Sequence, residues 1–212
     1  MAANRNPEVK KLVHTELTRL TTEQKQLIQE TFAEIAKAPV KNGLILFARY
    51  FSEFPHYKNI WPQFRAIPDS SLIVSDQLRN HASVYMSGLK EIVEKMDDDE
   101  ILVNLTARIA ISHVKWTISK QHITAEKCTH LENNGDMKRR LRSQSFCLLW
   151  RLFSPLLLLT HFQNMIPGLM DVLKTCLGDR YNQEVVDAWT TFYDVIGNVL
   201  NIQKAFVPRR YP

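Results

Sequence analysis

Two histidines give this chain its clearest means of doing chemistry. A neutral imidazole offers one ring nitrogen to a metal and the other to a hydrogen-bond partner. His81 lies in Gln77-Leu-Arg-Asn-His-Ala-Ser-Val-Tyr-Met-Ser-Gly-Leu89, and His113 in Leu105-Thr-Ala-Arg-Ile-Ala-Ile-Ser-His-Val-Lys-Trp116. Leu102, Leu105, Ile109, His113 and Trp116 recur every three or four residues, so His113 belongs to a helical stripe that faces a core. His81 stands one turn before Tyr85, beside the stripe Leu78, Ala82, Tyr85, Leu89 and Ile92. Either histidine alone reads as a core imidazole satisfied by protein. Two on successive helices favour a ligand held between them.

The elements that must position this pair are all predicted helices. Thr21-Thr-Glu-Gln24 is a capping box, opening a helix with Leu27, Ile28, Phe32 and Ile35 on one face. Pro39 breaks it. The next helix turns Leu44, Phe47, Ala48 and Phe51 inward and stops before Pro55. An aromatic turn follows, with Tyr57, Trp61 and Phe64. Pro68-Asp-Ser-Ser71 reads as a loop and cap for the helix of His81, and Asp97, Asp98, Asp99 and Glu100 place negative charge at the start of the helix of His113. Downstream, Phe162, Met165, Ile166, Leu169, Leu173 and Cys176 form a stripe closed by Gly178. Val185, Trp189, Phe192, Ile196 and Leu200 form the last. No alternating run competes as a strand, so the fold class is all-α, with helices packed across one another around a pocket.

Composition narrows the function classes. A chain of 212 residues with 45% hydrophobic content suits one domain with additions. Met1 to Lys11 is polar, so no secretory leader is expected, and Ala2 excludes N-terminal myristoylation. No stretch approaches the roughly 20 apolar residues that span a bilayer. Cys128, Cys147 and Cys176 have neither metal-type nor disulfide-framework spacing, and a reducing, cytoplasmic setting is expected. His122 and His130 read as solvated loop residues. No nucleophile elbow, phosphate-binding glycine loop or paired carboxylates appear, so hydrolytic catalysis has no support and the chain is not read as an enzyme. Lys138-Arg-Arg-Leu-Arg142 is a short basic run of a common kind, and no nucleic-acid partner is expected from it.

The segment 77–89 resembles the distal helix of a globin and 105–116 the proximal helix, and the spacing of the two histidines suits that family. The resemblance runs from about Leu20 to Phe206 and is similar to invertebrate, nematode-type globins and to the cytoglobin and neuroglobin group. It implies a globin fold around haem b (iron protoporphyrin IX). His113 would be the proximal iron ligand, and His81 the distal histidine and candidate sixth ligand. Phe47, Trp61, Phe64, Tyr85, Ile109, Ser112 and Met165 would line the pocket. The implied function is reversible binding of oxygen or another diatomic gas, for storage, transport or sensing. Redox work on nitric oxide or nitrite would need an external reductase, and a haem-free helical interaction module is the alternative from another class.

Three positions depart from the family's pattern. Trp61 stands where phenylalanine is usual. Phe47 supplies no hydroxyl, so a distal hydrogen bond would fall to His81. Tyr85 replaces a small aliphatic residue and could crowd the sixth site, offer its hydroxyl, or turn sideways into the core. Ser112 could partner the second ring nitrogen of His113 or face solvent. The sequence leaves these alternatives open.

Residues 127–160 interrupt the match before the G helix. Their removal joins Ile123-Thr-Ala-Glu126 to His161-Phe-Gln-Asn-Met165 in one helix start. Lys127, Lys138, Arg139, Arg140, Arg142 and Arg151 against Glu132 and Asp136 give the insertion most of the chain's net charge of +5. Leu152-Phe-Ser-Pro-Leu-Leu-Leu-Leu159 can be encoded almost wholly by pyrimidines, like the tract before a splice acceptor. The segment therefore reads as translated intron, or else as an insert that meets a membrane surface or a partner through residues 138–159. The domain reading is a flexible N-terminal extension at 1–20, a globin domain at 21–206 interrupted by 127–160, and a tail at 207–212.

Overall fold

The computed structural model describes residues 6–114 and 163–206. The insertion, the tail, Trp116, Phe162 and the histidines at 122 and 130 lie outside the described residues. Eight α-helices and short 3-10 turns make up the described residues, and no strand occurs among them.

The first helix corrects the reading of 1–20 as a flexible extension. α1 spans Pro7–Leu17, with the Asn6 side chain accepting from Glu8 N at 2.9 Å and Pro7 in the first turn. An Asn cap followed by proline is a helix start, because proline's fixed φ suits the first turn and its missing N–H is needed by no partner there. Val9, Val13 and Leu17 then fall on one buried face. That face packs on the last helix and on the helix of His113.

α2, Thr22–Ile35, opens with the predicted capping box: Thr21 Oγ1 accepts from Gln24 N at 3.2 Å, and Gln24 Oε1 accepts from Thr21 N at 3.1 Å. Pro39 separates it from α3, Pro39–Glu53, by serving as the first residue of the new helix. Buried Asn42 donates from Nδ2 to the Ile35 carbonyl at 2.8 Å and closes the end of α2. Leu44 and Ala48, read as inward, are only partly buried, while Leu46, Phe47, Tyr50 and Phe51 form the buried face. Two 3-10 turns, Pro55–Ile60 and Pro62–Phe64, carry the aromatic corner.

The predicted cap at Pro68–Ser71 is also corrected. Asp69–Leu72 forms the single turn α4, and Ser75 caps α5, Asp76–Glu94, by accepting from Leu78 N at 3.2 Å. α6, Asp99–Val114, begins with Asp98 Oδ1 accepting from Ile101 N at 2.9 Å, as its acidic start suggests. α7 spans Ile166–Leu177 and ends at Gly178, whose φ of 54° is open to glycine at little steric cost. α8 spans Gln183–Ala205.

α3 packs on both α5 and α7, while α8 packs on α6, α1 and α2. Small residues set the crossings on α3. A Cβ on Gly168 of α7 would lie 2.7 Å from the Leu46 carbonyl oxygen, and one on Gly43 would lie 2.9 Å from Met86 Cγ of α5. Trp189 and Thr31 pair their polar atoms inside the core. Trp189 Nε1 donates to Thr31 Oγ1 at 2.9 Å, and that hydroxyl donates to the Leu27 carbonyl at 2.6 Å. Among the described residues no helix is long and apolar enough to cross a membrane.

Candidate functional site

α5 delivers His81 into a cage of rings. Its imidazole centroid lies 5.0 Å from Phe47 of α3, 5.5 Å from Phe64 and 5.6 Å from Trp61. Phe64 and Trp61 meet it edge to face, at 83° and 69°. All three rings are buried. Stripping water from the imidazole penalises its charged form, and the nearby His113 acts in the same direction. The pKa of His81 falls from 6.5 to about 4, so the ring is neutral at physiological pH.

α6 delivers His113. Its Nδ1 lies 2.8 Å from the Ile109 carbonyl, one turn back, and 3.0 Å from Ser112 Oγ. A carbonyl only accepts, so Nδ1 carries the proton and donates, and Nε2 carries the lone pair of the neutral ring. The Ser112 hydroxyl itself donates to the same carbonyl at 2.7 Å, which leaves its oxygen placed to accept from Nδ1. Ser112 is thus solvent-exposed and also beside the ring nitrogen. Burial lowers the His113 pKa, the bond to Ile109 opposes that shift, and the charge of Lys204 on α8 adds to it. The arrangement is two imidazoles from successive helices, both with lowered pKa, and with an aromatic wall around His81.

The Tyr85 ring meets Phe47 edge-on at 5.3 Å, and its hydroxyl is hydrogen-bonded to that of Tyr193 on α8. Met165 is buried at the head of α7, and Ile109 is partly buried against the core.

Comparison with known proteins bears on this geometry. The family model described as Globin matches residues 45–134. Haemoglobin subunit alpha-D of Meleagris gallopavo is 30% identical over 117 residues, which cover 53% of this chain and 79% of that protein. The chain belongs to the globin family. Cytoglobin-1 of Oryzias latipes is 29% identical over 102 residues, 47% of this globin and 58% of the cytoglobin, so the chain spans little more than half of that relative. Among solved structures, the hexa-coordinate haemoglobin of Drosophila melanogaster superposes with a TM-score of 0.58 at 17% identity, covering 85% of this globin and 93% of that chain. The likeness establishes the all-α globin fold.

Within this globin, His81, Phe47, Trp61 and Phe64 come together as one cluster, with Tyr85 joined through Phe47. His113, Ser112 and Ile109 make the second. Tyr193 escaped the sequence reading. It follows Trp189 by one turn, so the same period that picked out Trp189 and Ile196 reaches it, but nothing in the period says that its hydroxyl meets Tyr85.

Proposed function

We propose that this globin binds haem b between His81 and His113 and takes up oxygen or another diatomic gas reversibly. The observation that carries the reading is the pair of neutral imidazoles on α5 and α6, with His113 Nδ1 tied to the Ile109 carbonyl. Neutral imidazole is the form that ligates a metal, and a hydrogen bond at one nitrogen fixes the orientation of the other. The donor set therefore fits an iron porphyrin. Bound there, the haem would supply an iron that accepts a diatomic ligand.

The chain's own residues do the rest. His113 would hold the iron through Nε2, while Ser112 and the Ile109 carbonyl keep the ring from rotating. Phe47, Trp61 and Phe64 exclude water from the neighbourhood of His81. Phe47 offers no donor and Tyr85 spends its hydroxyl on Tyr193, so His81 is the distal side chain placed to meet a ligand or the iron itself. The solved structure described as hexa-coordinate supports the second of those roles, in which His81 would hold the iron alongside His113 and would lower apparent gas affinity by the fraction of sites it occupies. Oxygen storage, transport or sensing in the cytoplasm is the use this site suits, and a redox role would require an external reductase.

Haem retention in two variants tests the reading. His113→Ala should lose haem on gel filtration, whereas His81→Ala should keep it with altered oxygen kinetics. A His113→Ala protein that retained haem with an unchanged ferrous spectrum would contradict the assignment of the proximal ligand.

A further inference from the structure

Tyr85 leaves α5 one helical turn after His81, on the same face of the helix. It touches Phe47 edge-on, and Phe47 in turn touches the His81 ring, so the phenol belongs to the wall of the same pocket. Its hydroxyl is not offered to that pocket. It is hydrogen-bonded across to Tyr193, a residue 2% exposed and packed beside Trp189 and Phe192. Burial pushes both phenols well above their usual pKa, so both stay protonated, one donating and the other accepting. A buried hydroxyl without a partner is costly, and this bond supplies each with one.

We propose that Tyr193 is a positioning residue for the gas site: its hydroxyl holds that of Tyr85 away from the ligand and leaves His81 as the distal donor. The inference rests on the haem-binding reading above. Without the Tyr193 oxygen, the Tyr85 hydroxyl is a buried donor in search of an acceptor. A ligand carrying partial negative charge in the adjoining pocket is such an acceptor. The pair therefore weakens ligand retention relative to a pocket with two donors. It also explains how a tyrosine is accommodated beside the distal histidine without becoming a donor to the ligand.

Three variants of the full chain, loaded with haem, separate this role from simple packing. Tyr193→Phe, Tyr85→Phe and the double substitution each remove oxygen atoms and keep the rings. The readouts are the infrared stretch of bound carbon monoxide and the rate of oxygen dissociation. Tyr193→Phe should move the stretch to lower frequency and slow dissociation roughly tenfold, the size expected of one added hydrogen bond to a charged acceptor. Tyr85→Phe should not reproduce either shift, and the double variant should lose both relative to Tyr193→Phe, because the effect runs through the Tyr85 oxygen. An unchanged Tyr193→Phe protein, or a double variant that keeps the Tyr193→Phe behaviour, would overturn the proposal. A wild-type chain that takes up no haem would instead overturn the functional reading beneath it, and the proposal with it.

Discussion

At the scale of single residues, burial sets the working state of both histidines. A histidine with a depressed pKa in the folded chain is protonated more readily when unfolded, where the ordinary value is about 6.5. The unfolded state then binds more protons, so stability is fully present above that value and is lost as pH falls toward the folded value of about 4 for His81. The haem-free chain should therefore unfold at progressively lower urea between about pH 6.5 and pH 4, and His81→Gln should flatten that dependence. An equal slope in the variant would show that His81 does not report the burial described here. The histidines were legible in the sequence because helical period alone places them inward. The Tyr85–Tyr193 contact was not, since it joins positions 108 apart and depends on which rings face each other across helices.

At the scale of elements, the helices carrying the site are held by close crossings on α3. Gly168→Ala would drive a methyl to 2.7 Å from a backbone oxygen of Leu46, which cannot move without bending α3. Its cost should be about 1–3 kcal/mol by denaturant unfolding. Gly43→Ala meets first the Cγ of Met86, a flexible side chain, and gains helix propensity, so it should cost less. The reverse order would contradict this account of the crossings. α1 was missed for a related reason: Glu8, Lys10 and Lys11 give its sequence a polar look, while Val9, Val13 and Leu17 carry an amphipathic period over only three turns. Its docking on α6 and α8 is a tertiary fact. The insertion at 127–160 lies outside the described residues. We read it as translated intron, so its deletion, joining Glu126 to His161, should raise soluble yield and haem content, and transcripts lacking the matching nucleotides should dominate. Lower haem content after deletion, with every transcript retaining the segment, would make it a true part of the protein.

At the scale of the molecule, the all-α class and the order of helices around His81 and His113 followed from capping and apolar period, which are local properties of the chain. What local properties could not supply was the cage itself: Phe47 comes from α3, Phe64 from the second 3-10 turn and Trp61 from between the two turns, and they converge on His81 through the packing of α3 and of the second turn on α5. The central claim is that this convergence, together with His113 on the next helix, is a haem site. The anaerobic ferrous absorption spectrum of the purified full chain, after titration with haem, tests it most directly. The account predicts a Soret band that saturates at one haem per chain, with the sharp low-spin bands of a six-coordinate iron that disappear in His81→Ala. A folded, helical chain that saturates with no haem at all would contradict it.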